Sequence, residues 1–193
     1  SMDLIFHPEL YESSANVAPE HDPFSGQNMV SDTIVLVQSD EVAVDAHLLA
    51  TPAVIDMDGD GTLDVVAHVS YFYDAEYYSR VENQFSLPED VNIDDYVADA
   101  LVCISVLTGK VLWLKLLHVS TKTVPQPAFA LSSPLIININ GDLLFDVFVT
   151  TALGFIFGFD GRGNPIGSHW PVHMAPIVGG LIAEDVNGDG NVD

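Results

Sequence analysis

Basic residues are scarce in this chain of 193 residues. Five Lys or Arg side chains stand against 28 Asp or Glu side chains, which gives a formal net charge of −23 at pH 7. Because a surface of that sign repels phosphate groups, the composition argues against nucleic acid or an anionic membrane surface as a partner. Cations remain suitable partners, and bound divalent ions would relieve part of the repulsion among the carboxylates.

Cysteine is limited to Cys103, so the chain cannot form an internal disulfide bond. The apolar run around it, "ALVCISV", predicts a small buried side chain rather than a reactive thiol. Long uncharged runs are also missing. The longest weakly charged stretch, residues 100 to 117, is interrupted by Lys110 and Lys115 and predicts a hairpin rather than a membrane span.

Familiar catalytic motifs are absent from the sequence. It contains no Gly-x-Ser-x-Gly, His-Glu-x-x-His, Cys-x-x-Cys or Walker phosphate loop. Two Gly-x-Gly pairs, at 59 to 61 and 161 to 163, lack the third glycine of a dinucleotide-binding fingerprint. The sequence therefore lacks the signatures of these enzyme classes, while a pair of its 28 acidic side chains meeting in space would still suit glycoside hydrolysis.

The hydrophobic content, 48%, is that of a globular protein. Ser1-Met2 is typical of a cleaved expression tag, which predicts that the natural start and any signal peptide lie upstream. Residues 1 to 32 show no sustained period and predict an extended N-terminal segment. Residues 33 to 37, "TIVLV", predict the first strand of a domain that continues to residue 193.

An internal repeat organises that domain. "AVIDMDGDGTLDVV" at 53 to 66, "LIININGDLLFDVF" at 135 to 148 and "LIAEDVNGDGNVD" at 181 to 193 are related. After each of the first two copies, an apolar strand, a glycine turn and a return strand end on Trp113 and Trp170 respectively. The last two copies are separated by about the length of a four-stranded propeller blade, roughly 40 to 50 residues. The expected fold is an all-β, partial β-propeller of about three blades.

The wider spacing between the first two copies predicts an insertion at about residues 71 to 98. This stretch is acidic, rich in Tyr and poor in strand alternation, so we expect a loop excursion with a helical turn. Its aromatic cluster either contacts a protein or carbohydrate partner, or folds the insertion back onto its own blade. The cluster consists of Tyr71, Phe72, Tyr73, Tyr77 and Tyr78.

The first acidic loop, residues 56 to 64, has the spacing of a calcium site. Ca²⁺ takes about six to eight oxygen ligands, and a tight loop supplies them from side chains at positions 1, 3, 5 and 9 and a carbonyl at position 7. Gly61 at position 6 allows the backbone to turn round the ion. The predicted ligands are Asp56, Asp58, Asp60 and Asp64, with Thr62 through its carbonyl.

The other two copies match this loop to different degrees. The third keeps all five positions as Asp185, Asn187, Asp189, Asn191 (through its carbonyl) and Asp193. The second has fewer acids, and Leu143 replaces the position-6 glycine, so it predicts either weak binding or an empty loop held by hydrogen bonds. Its weaker candidate ligands are Asn138, Asn140, Asp142, Leu144 and Asp146.

Two helical calcium motifs begin in a similar way. An EF-hand needs a bidentate Glu at position 12, but that position holds Ala67 in the first copy and Val149 in the second. A dockerin repeat resembles "DVNGDGNVD", yet the preceding "APIVGGLIAE" predicts a strand rather than a helix.

The repeated Asp-x-Asp-x-Asp-Gly-x-x-Asp loops, each entered from an apolar strand, resemble the FG-GAP repeats of the integrin α-chain N-terminal β-propeller. Residues 42 to 193 are also similar to the plant "defective in exine formation" family and its eukaryotic relatives. The stretches that carry this likeness are "ATPAVIDMDGDGTLDVVAHVSYFYDAEYY", "IDDYVA", "TGKVLW" and "LSSPLIININGD".

This resemblance implies a calcium-binding, non-catalytic adhesion or matrix-organising role. It also implies a place outside the cytoplasm, in the secretory-pathway lumen or at the cell surface, on a protein with a membrane anchor. The alternative is an accessory propeller of a secreted, phospholipase-like hydrolase whose catalytic domain lies outside this chain.

Overall fold

The Val-rich stretches on either side of the first acidic loop form β-strands, as their apolar patterns predict. The computed structural model describes residues 4–6, 42–84, 87, 92–142 and 144–188. Two antiparallel sheets, neither closed, account for the strands of these residues, which confirms the all-β class. Strands β1 to β6 are Leu4–Phe6, Val42–His47, Ala53–Ile55, Asp64–Tyr73, Tyr96–Ser105 and Val111–Thr121; β7 to β10 are Leu135–Ile137, Asp146–Thr150, Phe155–Phe159 and Val172–His173.

Strand β4 is the centre of the first sheet. One of its edges pairs with β5 over eight residue positions, from Asp64↔Ser105 to Tyr71↔Ala98. Its other edge pairs with β3 near the start and with β2 near the end. Strands β1 and β6 extend the sheet outward from β2 and β5.

The second sheet is a four-stranded antiparallel arrangement in the order β10-β9-β8-β7. Strand β7 pairs with β8 as β3 pairs with β4, with Ile137↔Asp146 matching Ile55↔Asp64. The repeat seen in the sequence is therefore a repeat of structure at the two hairpins that carry the first two loops.

Both faces of β4 and β5 are buried, which is why these strands are almost continuously apolar. On one face a cluster joins residues of the first sheet with the insertion. On the other face a second cluster joins the two sheets. Its buried members are Met57, Val66, Leu101, Cys103 and Trp113 with Val147, Val149 and Phe159 of the second sheet.

The insertion between β4 and β5 contains the helical turn that its sequence predicts. Two short α-helices, α1 at Ala75–Tyr78 and α2 at Val81–Gln84, precede a 3₁₀ turn at Ile93–Asp95. The strands extend into both ends of the stretch predicted as an insertion, since Tyr71 pairs with Ala98. The excursion is thus confined to residues 74 to 95.

Three rings of the aromatic cluster attach the insertion to the sheet. Tyr71, Tyr73 and Tyr78 are buried, and the rings of Tyr73 and Tyr78 meet edge to face with centroids 5.9 Å apart. The Tyr78 hydroxyl accepts a hydrogen bond from the Ala43 backbone N–H at 2.9 Å. These rings pack the insertion against its own sheet, whereas Phe72 remains half-buried.

The return strands of both units differ from the prediction, since β6 continues past Trp113 to Thr121 and the second unit departs further. Residues after β9 turn through Gly163, and a single bridge joins Phe159 to Pro165 before the chain reaches Trp170. On the edge of β9 opposite β8, the pairing strand is the two-residue β10, which follows Trp170 instead of ending on it. The glycines and prolines of "GRGNPIGSHWP" explain the difference, because such residues interrupt a strand ladder.

The structure also bears on the predictions for Cys103, the N-terminal segment and a membrane span. Cys103 is fully buried, as expected, and burial raises the pKa of its thiol to about 12. The strand predicted at 33 to 37 and most of the N-terminal segment lie outside the described residues. Among the described helices, none combines the length and apolar character needed to cross a bilayer.

Candidate metal centre

The first loop is the connection of the β3–β4 hairpin. Because Ile55 pairs with Asp64, the two ends of the loop are held side by side, and Asp56 directly follows one strand while Asp64 begins the next. Loop positions 1 and 9 are therefore adjacent in space although seven residues lie between them in sequence.

Three of the four predicted aspartates converge. One carboxylate oxygen from each of Asp56, Asp58 and Asp64 lies within 4.8 Å of the other two. Among the described residues, these form the one group of three or more His, Cys, Asp or Glu side chains close enough to share an ion. Asp64 is 1% exposed and Asp58 is exposed, so the group runs from the sheet edge into solvent.

Asp60 lies outside this group of three. Its Oδ1 accepts hydrogen bonds from the Thr62 N–H at 2.7 Å and the Thr62 hydroxyl at 2.6 Å. These bonds lower the pKa of Asp60, so the side chain is held as a carboxylate. The predicted ligand role of the Thr62 carbonyl stays a prediction.

The remaining aspartates also organise the backbone of the loop. Asp56 accepts from Gly59 N–H at 2.8 Å and Gly61 N–H at 2.9 Å, and Asp58 accepts from Asp60 N–H at 3.0 Å. Gly61 has a φ of +88°, which confirms the left-handed turn predicted at position 6.

A second left-handed glycine was missed. Position 4 is glycine in all three copies, and Gly59, Gly141 and Gly188 have φ values of 77°, 72° and 76°. In each copy the position-4 N–H donates to Oδ1 of position 1, at 2.8, 2.7 and 2.6 Å respectively. The recurrence of glycine at this position was the signal that could have revealed it.

The second loop reproduces the backbone of the first. Asp142 N–H donates to Asn140 Oδ1 at 2.8 Å, and Leu144 N–H donates to Asp142 Oδ1 at 2.8 Å. Ile139 N–H donates to Asp146 Oδ2 at 3.0 Å, as Met57 N–H does to Asp64 Oδ2 at 2.9 Å. An Asn side chain offers the same oxygen as Asp to these N–H groups, so the turn survives the loss of two charges.

The amide groups of the second loop satisfy part of its oxygen set. Asn138 Nδ2 donates to the Asp142 carbonyl, and Asn140 Nδ2 donates to Asp142 Oδ2 at 3.0 Å. Asp146 is 1% exposed, however, and its Oδ1 has no hydrogen-bond partner among the described residues. The predicted hydrogen bonds are present, and one buried carboxylate oxygen still suits a cation.

The third loop is described only through residue 188. Asp185 occupies position 1 and accepts the Gly188 N–H, and Asn187 is exposed. The predicted ligands Asp189, Asn191 and Asp193, like Leu143 of the second loop, lie outside the described residues.

Burial sets the electrostatics of the two position-9 carboxylates. It raises the pKa of Asp64, and repulsion from Asp58, Asp60 and Asp56 adds to that effect, against the lowering by the Met57 hydrogen bond. Burial likewise raises the pKa of Asp146. A divalent cation beside either group would stabilise the ionised form and oppose this shift.

Met57, at position 2 of the first loop, has a structural role that the sequence did not reveal. It is 0% exposed and belongs to the cluster between the two sheets. Its carbonyl oxygen lies against Gly161 of the turn after β9, so close that a Cβ on that glycine would overlap it. Trp113 Nε1 donates to the Gly161 carbonyl at 3.0 Å, which fixes the turn against the first sheet.

A set of polar side chains, His68, Asp99, His118 and Ser132, lies in the interior away from the loops. His68 Nε2 lies 3.3 Å from Asp99 Oδ2, and His118 Nδ1 lies 3.7 Å from Asp99 Oδ1. His68 Nδ1 is 3.1 Å from the Ser132 carbonyl, and the Ser132 hydroxyl donates to the Thr150 carbonyl at 2.6 Å. Ser132 is 4% exposed, so this Ser-His-Asp set lacks the access to substrate that nucleophilic catalysis requires.

The chain was compared with models of known protein families, with curated proteins and with solved structures, and none of the three comparisons gave a match. The case for a function therefore depends on the loops themselves.

Proposed function

We propose that this chain is a calcium-binding repeat domain in which the first loop is the principal site. The convergence of Asp56, Asp58 and Asp64 oxygens within 4.8 Å carries the proposal. Carboxylate oxygens at this spacing repel one another, by ~4 kcal/mol per pair at about 4 Å and a surface-like dielectric, unless a cation lies among them. An oxygen-only donor set favours Ca²⁺ over zinc or copper, which prefer nitrogen and sulfur.

The ranking of the loops follows from their charge. The first loop has four carboxylates and the second has two, so the first should bind Ca²⁺ more tightly. The third, with three carboxylates and one Asn side chain, should lie between them. We expect dissociation constants of ~10⁻⁴ to 10⁻³ M, the range of extracellular modules.

The role we propose for the ion is structural. The first and second loops each join two adjacent antiparallel strands, and a bound cation would cross-brace either hairpin at its open end. The units β3–β6 and β7–β10 each run strand, acidic loop, strand, strand, strand and pack against each other, although the first sheet also contains β1 and β2. Such units are compatible with successive blades of a propeller, and the FG-GAP likeness of the loops favours that arrangement. We extend the proposal to a non-catalytic adhesion or matrix-organising role at the cell surface or in the secretory-pathway lumen.

The rival proposal is an accessory domain of a secreted hydrolase. The same loops would serve it equally, since they stabilise a scaffold in either case. The coding sequence on both sides of this chain separates the two, because a membrane anchor supports the first and a hydrolase domain supports the second.

Calorimetric Ca²⁺ titration of the wild type and Asp58→Ala tests the binding proposal. Asp58 is exposed, so its removal should eliminate the tightest binding component without unfolding the chain. Glu82→Ala, an exposed acid on α2, is the matched control and should bind as the wild type does. Equal heats and equal melting temperatures for Asp58→Ala and wild type would remove the first loop from consideration.

A further inference from the structure

Met57 belongs both to the first loop and to the packing between the two sheets. It stands between Asp56 and Asp58 in the chain, and its N–H donates to Asp64 at 2.9 Å. All three clustered carboxylates are thus connected to Met57 directly, two by peptide bonds and one by a hydrogen bond.

The rest of Met57 belongs to the packing between the sheets. Its side chain is in the buried cluster that includes Val147 and Phe159 of the second sheet. Its carbonyl lies beneath Gly161, where a Cβ would also come within 3.1 Å of the Phe145 carbonyl. Displacement of the Gly161 turn would therefore push on Met57, and Met57 cannot shift without moving the carboxylates attached to it.

The second loop lacks this connection. Ile139 holds the equivalent position and makes the equivalent bond to Asp146, but its side chain is 45% exposed. The two loops share the backbone hydrogen bonds donated at positions 2, 4, 5 and 7. They differ in charge and in whether the position-2 side chain is buried between the sheets.

We propose that cation binding in the first loop and packing between the two sheets are thermodynamically coupled through Met57, with Gly161, in the turn that follows β9 of the opposite sheet, as a positioning residue. This inference rests on the proposed calcium function. Coupling of this kind is reciprocal: the ion strengthens the contact between the sheets, and a disturbed contact weakens the ion site by the same factor.

The first test measures Ca²⁺ affinity from the side of the second sheet. First-loop binding is the calorimetric component that Asp58→Ala removes. Gly161→Ala should weaken that component about tenfold, within the range of roughly 5- to 150-fold for coupled sites. Gly179→Ala is the matched control, since that glycine is exposed and no described atom lies within 4 Å of its added Cβ.

The second test changes position 2 itself. Met57→Ala should weaken first-loop binding by a similar factor although its side chain offers the ion no ligand, and Met57→Leu, which retains most of the volume, should restore it. Ile139→Ala should leave first-loop binding unchanged. Thermal unfolding in chelator shows which variants are folded at the temperature of titration.

A third measurement needs no change at the interface. With Trp170→Phe, Trp113 is the sole tryptophan, and it contacts both the Met57 cluster and Gly161. Addition of Ca²⁺ should change its fluorescence emission with the midpoint found by calorimetry, and Asp58→Ala should abolish the change.

The possible failures are distinguishable. If the wild type shows no component that Asp58→Ala removes, the calcium function itself fails. If that component is present, but Trp113 emission does not respond or the folded Gly161 and Met57 variants bind like their controls, the coupling is refuted and the calcium function stands.

Discussion

Asp64 and Asp146 begin β4 and β8 in the same way: each is 1% exposed and each accepts the N–H of loop position 2. The loops before them nevertheless differ in charge and in surroundings. Where the first has Asp56 and Asp58, the second has the corresponding Asn residues, and where the first buries Met57, the second exposes Ile139. The shared hydrogen bonds show that the shape of the loop and its fitness for an ion are separable properties.

Exchange of acids between the loops should give the largest effect. The double variant Asp56→Asn/Asp58→Asn keeps the turn-forming oxygens and should weaken first-loop Ca²⁺ binding about tenfold or more per charge, since tenfold requires only ~1.4 kcal/mol. The reverse variant, Asn138→Asp/Asn140→Asp, should strengthen Ca²⁺ binding by the second loop for the same reason. Calorimetric titration measures both.

The control for this exchange removes two charges elsewhere. Glu76→Gln/Glu82→Gln removes the same number of negative charges at exposed helical positions and should leave both affinities unchanged. Equal losses in this variant and in the loop variant would attribute the effect to the overall field of the protein instead of to the ligands.

The next largest effect concerns the two position-9 carboxylates, through the dependence of stability on pH and on Ca²⁺. Burial raises the pKa of Asp64 above its ordinary value of 3.8, so the folded, cation-free chain holds that proton more tightly than the unfolded chain. Ionisation of Asp64 therefore costs stability at neutral pH, and the cost disappears as the pH falls through the raised pKa toward 3.8. In chelator, Asp64→Asn should melt above the wild type at pH 7 and approach it on acidification.

Asp146→Asn should behave alike in chelator, because burial raises the pKa of Asp146 too. The loops should separate in saturating Ca²⁺, where Asp64→Asn melts below the wild type and Asp146→Asn changes far less. Burial lowers the pKa of His118 below its ordinary 6.5, so protonation of His118 reduces the stability of the folded protein as the pH falls. This effect is the same in the wild type, Asp64→Asn and Asp146→Asn, so it cancels when their melting temperatures are compared. Equal responses of the two variants to Ca²⁺ would contradict the ranking of the sites.

The smallest expected difference concerns the position-4 glycines. Gly59→Ala and Gly141→Ala each place a Cβ at a left-handed φ, which costs ~1 to 2 kcal/mol. At Gly59 the new Cβ would also lie 3.0 Å from Leu144 Cδ2, whereas no described atom lies within 4 Å at Gly141. Urea unfolding in chelator should therefore show a slightly larger loss for Gly59→Ala, and a larger loss for Gly141→Ala would contradict the observed contact between the loops.

Sequence spacing predicted what is local in this protein. Positions 1, 3 and 9 converge because a short hairpin loop leaves few alternatives, and the strands beside it follow from Val-rich runs. Asp60 has the spacing of a ligand too, and its ligand role stays a prediction. Its carboxylate lies outside the group of three, and its Oδ1 accepts two hydrogen bonds from Thr62, which spacing alone does not specify.

The contacts between sheets were beyond prediction. The sequence around Gly161 shows only an incomplete nucleotide-binding pattern, and nothing in it indicates that Met57, far away along the chain, packs against this glycine. Similarly, His68, Asp99 and His118 come together only when the registers of β4, β5 and β6 are known. Such residues become interpretable after the strands are paired.

The central position of β4 in its sheet determines where local unfolding of this strand can begin. Neighbouring strands hydrogen-bond to it along both edges, so its amides should be among the slowest to exchange with solvent. Asp64 is its first residue, and Tyr73 at its other end packs on the insertion through Tyr78. Fraying of this strand must therefore begin at the loop or at the insertion. A cation held by Asp64 would block the first route and leave the second as the place where local unfolding starts.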